Sequence, residues 1–359
     1  MKQLSISFDT PQDSPFTSTA PFTFIDLFAG IGGFRLAMEN LGGKCLFSSE
    51  WDKYCQKTYQ ENFGEIPYGD LTSEEIRNLI PENFDLLCAG FPCQSFSIAG
   101  RKLGFEDARG TLFFEIALIL KKHQPLGFIL ENVKGLAHHD QGKTLQVILN
   151  TLRKDLGYSV PEPKIINAKK FGLPQNRERI FIVGFRKDLN VPYFEYPSPI
   201  SEGEGATIKD ILEEKEVSVK YYLSTQYLKV LENHKNYHQA KGNGFGYNIL
   251  SPQDIAGALV LGGMGRERNL IIDKRLTNFT PVTRIKGEVN KQGIRRLTPR
   301  EYARLQGFPD EFKIVVSDTQ AYRQFANSVP VPVVEAIGKK VIQKINRIRE
   351  VADNAVIRK

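Results

Sequence analysis

From Phe22 to about Val183, short apolar runs alternate with amphipathic segments of helix length. Alternation of this kind predicts a parallel sheet with crossover helices, because each strand is buried on both faces and each helix on one. The runs are Thr23–Phe28, Cys45–Ser49, Phe84–Ala89, Gly127–Leu130, Lys164–Ile166 and Arg179–Gly184, six strands of a doubly wound, Rossmann-like α/β domain. Past Phe185 the pattern stops, and Pro192, Pro197 and Pro199 mark the change. The segment to about Thr319 is rich in loops, glycine and β-branched residues, with helical periodicity only in Ile208–Glu216 and Thr225–His234. From Val331 to Ile348 a helix is predicted, with Val333, Val334, Ile337, Val341 and Ile345 on one stripe. That stripe needs an apolar partner, which the first domain would supply. The expected division is a mobile arm over 1–21, a first domain over 22–195, an inserted loop- and strand-rich domain over 196–321, and a returning segment over 322–359.

No apolar stretch reaches membrane-spanning length, so a soluble chain without a membrane partner is expected. The first 21 residues lack the basic flank and apolar stretch of a signal peptide. Four cysteines without metal-ligand spacing, and five histidines that do not join them, predict neither a zinc site nor a disulfide framework but a reducing, cytoplasmic setting. Net charge adds a location. Residues 261–300 hold ten basic side chains against three acidic ones, a difference of +7 that equals the net charge of the whole chain. A basic segment beside the glycine-rich stretch 242–265 suits contacts to phosphates, the alternative being a solvated basic face.

Candidate chemistry gathers after the strands. Cys93 follows the run Phe84–Ala89 in a Pro-constrained turn, Gly90-Phe91-Pro92-Cys93, where open α/β sheets place their sites. Read alone, a free cysteine is more often an inert small hydrophobe, and Cys88, inside the run, fits that description better. Strand Thr23–Phe28 runs into Ala29-Gly30-Ile31-Gly32-Gly33, a turn that lets a ligand approach the backbone. The second strand ends in Glu50-Trp51-Asp52, an acid about 20 residues on, placed for a ribose hydroxyl, with an aromatic face suited to adenine. Asp70, in Tyr68-Gly69-Asp70-Leu71, is expected to close a further strand and accept from the adenine amine. An adenosine-containing cofactor follows, whether a dinucleotide or S-adenosylmethionine. Glu131 ends the fourth strand as a candidate general acid or a simple turn cap. Arg177 and Arg179 could bind a phosphate or a base oxygen, or pair with Glu178 at the surface.

These blocks resemble the bacterial DNA (cytosine-5) methyltransferases from about Phe22 to Ile348. The resemblance rests on Phe24-Ile25-Asp26-Leu27-Phe28-Ala29-Gly30, Gly90–Gln94, Glu131-Asn132-Val133 and Gln175–Arg179. It continues in Arg296–Glu301, Leu305–Pro309 and Gln324–Val329. One position departs: Ala326 stands where the family usually has glycine, which would narrow the cofactor pocket if the backbone there needs a positive φ.

The resemblance implies that Cys93 attacks carbon 6 of a flipped cytosine, Glu131 serves ring nitrogen 3, and Arg179, with Arg177 beside it, holds the base. S-adenosyl-L-methionine would be the methyl donor, held by Phe28, Gly30, Ile31, Gly33, Glu50, Trp51, Asp70, Leu71, Pro92, Leu112, Asn327 and Ser328. The stretch Ser95–Gly110, with Ser97, Arg101 and Lys102, would close over double-stranded DNA. The inserted domain would read sequence through Arg266 and Arg268 in Gly262–Asn269, a region similar to that of HpaII-type enzymes, which modify CCGG. The implied chain is a monomer that protects DNA in a restriction-modification system, linked functionally to an endonuclease without a stable protein partner. A tRNA cytosine-5 methyltransferase and a non-catalytic DNA-binding protein on the same fold are the alternatives.

Overall fold

The computed structural model describes residues 22–91, 112–189, 193–200, 205–244, 246–260, 267–282 and 287–357. The expected arm over 1–21, with Pro92, Cys93, Ser97, Arg101, Lys102 and Arg266, lies outside them.

Strand β1 (Thr23–Leu27) leads to α1 (Gly33–Asn40), β2 (Lys44–Ser49), α2 (Lys53–Phe63), a short α3 (Glu74–Arg77) and β3 (Leu86–Gly90). Then come α4 (Leu112–His123), β4 (Gly127–Val133), α5 (Lys143–Asn150), β5 (Tyr158–Ser159), β6 (Lys164–Asn167), β7 (Gln175–Asn176) and β8 (Glu178–Arg186). The main sheet runs β2-β1-β3-β4-β8-β5, with β6 also on β8. Strands β1 to β4 pair in parallel, as the apolar pattern predicts. Strand β8 does not. It lies antiparallel to β4, and β5 and β6 lie antiparallel to β8. The link from Asn167 to Glu178 is too short for a parallel crossover, and Gly172 turns it with φ 81°. The reversal matters for chemistry, because it puts the beginning of β8 at the edge where β1 to β4 end.

The strand expected around Asp70 reduces to a single parallel bridge between Tyr68 and Ser49. Pro67 cannot donate to a ladder and Gly69 has no side chain to pack, so pairing stops there.

Each face of the sheet has its own core. Leu27, Leu87, Phe128, Leu130, Ile180 and Ile182 pack with Phe113, Ile116 and Leu120 of α4 on one side. On the other side Phe24, Cys88, Ile129, Phe181 and Val183 meet Phe34 and Met38 of α1 and the last helix, α10, which runs Val331–Ile357. Val333, Val334, Ile337, Val341 and Ile345 are all in this core, so the C-terminal helix returns to the first strands. The approach is close: a β-carbon on Gly338 would stand 2.5 Å from Met38 Cε. Arg349 completes the return with an ion pair to Asp85, which also accepts from Thr23 N and Oγ1. Cys88 is fully buried, Cys45 and Cys55 are half-buried, and all three are free thiols. Burial pushes each thiol up, Cys45 to about 12, which fits inert packing.

The intervening chain carries smaller cores. It contains α6 (Ile208–Ile211), α7 (Thr225–Ala240), β9 (Asn248–Leu250), β10 (Ala256–Gly257), β11 (Asn269–Ile272) and β12 (Ile294–Arg296). It then passes through α8 (Pro299–Leu305) and α9 (Asp318–Asn327). The helix expected over Ile208–Glu216 stops after one turn, because Glu213 leaves it to donate its N–H to Glu301 and to give its carbonyl to Arg275. Strands β12, β11 and β9 form a small sheet, packed through Leu270 and Ile294 onto Leu223 and Leu231. Beneath it, Arg295 is fully buried between Asp273, at 2.9 Å, and Glu301, which it grips with two nitrogens at 2.7 and 2.8 Å. Glu301 also closes the capping box of α8 with Thr298.

Candidate active site

The turn after β1 is built from left-handed residues. Phe28 and Gly30 both have φ 56° and Gly32 has φ 84°. For Phe28 that conformation is costly, and the surrounding hydrogen bonds hold it: Ala29 N donates to Ser49 O and Gly30 N to Glu50 Oε2 at 2.8 Å. Glu50 Oε1 accepts from Asp52 N at 2.8 Å, so one carboxylate staples the β1–α1 turn to the β2–α2 turn. Each oxygen keeps a lone pair for a ligand. Asp52 caps α2 by accepting from Tyr54 N and Cys55 N, which leaves Trp51 projecting, 71% exposed. Ser49 Oγ donates to Gly69 O, drawing in the Asp70 segment, where Asp70 is exposed and Leu71 buried. Arg77 then donates to Leu71 O, Thr72 O and Glu115, fixing that segment to the first turn of α4, which Leu112 opens. Ile31 is buried under the turn. Gly33 has no room for a side chain, since a β-carbon would lie 2.7 Å from Ser328 Oγ and 2.9 Å from Val329 Cγ2. Thus Phe28, Gly30, Gly33, Glu50, Trp51 and Ser328 gather at one rim, with Ile31 and Leu71 buried, Asp70 on the segment tied to Ser49, Leu112 at the start of α4 and exposed Asn327 at the end of α9.

A second group lies at the ends of β3, β4 and β8. Alternation along β4 and β8 puts Glu131 on the face of Ile129 and Arg179 on the face of Phe181 and Val183, the same side of the sheet. The antiparallel register sets Glu131 opposite Phe181 and Arg179 opposite Val133, so the two are diagonal neighbours, and Arg179 Nε meets Glu131 Oε1 at 3.0 Å. Glu131 is therefore no turn cap. Burial raises its pKa, opposed by Arg179 and then Arg177. Glu178, the surface partner considered for the arginines, instead accepts from Lys134 at 2.7 Å.

Arg177 is placed differently from Arg179. It is 1% exposed and its Nη2 donates to the carbonyls of Ala326 and Ser328, both at 2.8 Å. Ala326 itself is helical and not among the positive-φ residues, so its methyl group meets no backbone objection.

Three amides escaped the sequence reading. Asn132 Nδ2 donates to Phe91 O at 2.8 Å, fastening the end of β3, two residues before Cys93, to β4. Gln175 donates to Leu305 O and accepts from Leu259 N, and Gln306 donates to Phe325 O and Ser328 O. Their signal was only a position inside a motif, since an amide matters where a buried carbonyl and a buried N–H must be satisfied together.

The basic run needs correction. Arg295 is buried, Arg275 is held by Asp273 and by the carbonyls of Glu213 and Glu214, and Arg300 donates to Pro309 O and Phe312 O. These charges serve internal structure, so the count of ten overstates what a phosphate backbone would meet. Arg268 is exposed at the start of β11, and its carbonyl accepts from Asn248 N. Among the described residues no cluster of three or more His, Cys, Asp or Glu side chains could hold a metal, and no helix is long and apolar enough to cross a membrane.

The sequence from residue 22 to residue 343 matches the family described as C-5 cytosine-specific DNA methylase. The chain belongs to this family. It is a DNA cytosine-5 methyltransferase, and its relatives are enzymes of the same kind. It is 64% identical over 327 residues to the type II methyltransferase M.HpaII of Haemophilus parainfluenzae, covering 91% of each chain. With M.HhaI of Haemophilus parahaemolyticus it shares 40% identity over 328 residues, 90% of this chain and 95% of the relative. The fold of the methyltransferase is also that of the S. pombe Dnmt2 methyltransferase, at TM-score 0.64 and 20% identity over 88% of this chain and 96% of the other. That likeness concerns architecture alone. The edge where the parallel strands of the methyltransferase end thus carries two groups, the residues around Glu50 and Trp51 and the pair Glu131–Arg179.

Proposed function

We propose that this methyltransferase modifies the cytosine of CCGG in double-stranded DNA, as the protecting member of a restriction-modification system, with S-adenosylmethionine as methyl donor. The observation that carries the reading is the Glu131–Arg179 pair beside the strand that leads to Cys93, in a chain 64% identical to M.HpaII. The donor rim fits an adenosine: Trp51 offers an exposed ring, Glu50 keeps lone pairs for ribose hydroxyls, and Gly33 leaves the wall at Ser328 close but open. S-adenosylmethionine would supply an electrophilic methyl group there.

Carbon 5 of cytosine is a weak nucleophile, so the chain must activate the ring first. The target base leaves the duplex, at a cost of a few kcal/mol. The Cys93 thiolate forms a bond to carbon 6, and the electron pair of the 5,6 double bond becomes available at carbon 5. Glu131, whose pKa burial raises against the pull of Arg179 and Arg177, donates at ring nitrogen 3. Arg179 holds both the Glu131 carboxyl and the carbonyl oxygen of the base. Once carbon 5 is methylated, its proton leaves to a base and the bond to Cys93 breaks, restoring the thiolate. Residues 22–195 and 322–359 form the catalytic part in this reading, and 196–321 reads the sequence, with Arg266 and Arg268 at base edges or phosphates and Ser97, Arg101 and Lys102 at the backbone.

Expression in a methylation-free host followed by bisulfite sequencing tests the proposal. Protected cytosines at CCGG are expected, and Cys93→Ala should abolish protection while the protein still retains CCGG duplex in a binding assay. Uniform conversion by folded wild-type protein would overturn the reading, and near-normal protection by Cys93→Ala would overturn the covalent step.

A further inference from the structure

Arg177 does a job that neither Arg179 nor a surface arginine could do. Its guanidinium is buried to 1% exposure, yet among the described residues it has no carboxylate partner of its own. One nitrogen, Nη2, is shared by the carbonyls of Ala326 and Ser328, at the point where α9 ends and the donor rim begins. The other two, Nε and Nη1, are buried without a hydrogen-bond partner. A charge held this way is expensive, because a buried guanidinium normally needs all its donors met. Two residues on, at the start of β8, Arg179 grips Glu131. Among the described residues, the charged groups that act on Arg177 are Arg179 and Glu131, and those that act on Glu131 are Arg179 and Arg177. Ser328, in turn, is the side chain that presses on Gly33 of the donor turn. The carbonyl of Ser328 also accepts from Gln306, so the segment has a second anchor that does not involve the base pocket.

We propose that Arg177 is a positioning residue that couples the methyl-donor site to the target-base pocket. Movement of the Ala326–Ser328 segment when donor occupies the rim is passed through the guanidinium to the Glu131–Arg179 pair, so that each site binds its ligand more tightly when the other is filled. The inference rests on the reading of the two sites given above. By linkage the effect is reciprocal: whatever factor the donor product adds to DNA affinity, DNA adds to donor-product affinity.

The test measures that factor in the full chain. A fluorescent CCGG duplex is titrated with and without saturating S-adenosylhomocysteine, and S-adenosylhomocysteine is titrated calorimetrically with and without duplex, for wild type, Arg177→Lys and Arg177→Met. Wild type should show a coupling factor of about tenfold, within the usual range for linked sites. Arg177→Met should bind each ligand alone within about threefold of wild type while the factor falls toward one. Arg177→Lys, which keeps the charge but not the planar fork, should retain an intermediate factor. A structural role alone would lower thermal stability or weaken both ligands without changing the ratio. A ratio preserved in Arg177→Met, or a wild-type ratio of one, overturns the proposal. Should the methionine variant fail to fold, a wild-type ratio in the lysine variant overturns it. Absence of CCGG protection by the wild-type chain would instead count against the function proposed above, so the two failures are distinguishable.

Discussion

Asparagine at position 26 removes one proton from the pH dependence of folding. Asp26 lies on β1 just before the donor turn, fully buried, with Oδ2 accepting from Arg35 N at 3.2 Å and Oδ1 without a partner. Burial outweighs the help from Arg35 and raises its carboxyl to about 8. An unfolded aspartate titrates near ~3.9, so between that value and about 8 the folded chain keeps a proton that the unfolded chain has lost. Stability must then fall as pH rises across the window, by about 1.4 kcal/mol per pH unit until the folded carboxyl itself begins to ionise, or about 2 kcal/mol from pH 6 to pH 8. Below the window both states are protonated, and above it both are ionised, so the effect is flat outside. Asp26→Asn keeps a carbonyl for Arg35 N and cannot ionise. Urea unfolding of both proteins, followed by far-ultraviolet circular dichroism at half-unit steps from pH 5.5 to 9, gives the difference directly, because every other titrating group cancels to first order. The variant should gain about 2 kcal/mol on wild type between pH 6 and 8. A difference that stays level across that range would mean that Asp26 is ionised in the fold, and the argument from its burial would fall.

Two further substitutions probe the frame around the sites. Gly33→Ala puts a methyl group 2.7 Å from Ser328 Oγ and should displace the wall of the donor rim, raising KM for S-adenosylmethionine about tenfold with a stability loss of about 1–2 kcal/mol; steady-state kinetics and urea unfolding measure both, and an unchanged KM contradicts the assigned rim. Arg295→Met takes the guanidinium from the buried Glu301, while Asp273 keeps Arg275, and should cost about 3–5 kcal/mol in urea unfolding; a loss under about 1 kcal/mol would show that the Glu301 carboxyl finds water or other donors.

Much of the site was legible because the signals are local. A glycine turn after a strand, an acid about 20 residues later and an apolar stripe at 331–348 each follow from short-range pattern, and the left-handed turn at Phe28–Gly32, the Glu50 carboxylate that reaches it and the returning helix stand where those patterns put them. What the pattern missed depends on contacts distant in sequence. Residues 179–184 read as a strand, but their direction is set by the short link through Gly172, and that direction alone brings Arg179 to Glu131. Apolar run length carries no sign of orientation. Arginine counts failed for a related reason: Arg275, Arg295 and Arg300 look like any surface base until Asp273, Glu301 and the carbonyls of Pro309 and Phe312 are seen around them. Arg177 and Arg179 share one motif and stand two residues apart, yet one is committed to backbone carbonyls and the other to a carboxylate. The strand expected to close at Asp70 shrinks to one bridge because Pro67 and Gly69 flank the only paired residue.

The return of the last helix to the first strand also sets a schedule for biosynthesis. Phe24, Phe34 and Met38 leave the ribosome early, but the residues that cover them, Val333 to Ile345, follow about 300 positions later. Contacts at such separation form late, and one face of the sheet stays open until then. The Ala326–Ser328 wall of the donor rim is made in the same final stretch. A nascent or truncated chain would therefore carry the Glu131 strand without a closed core or a complete donor site. Closure of this face of the sheet therefore waits on contacts between residues far apart in the chain.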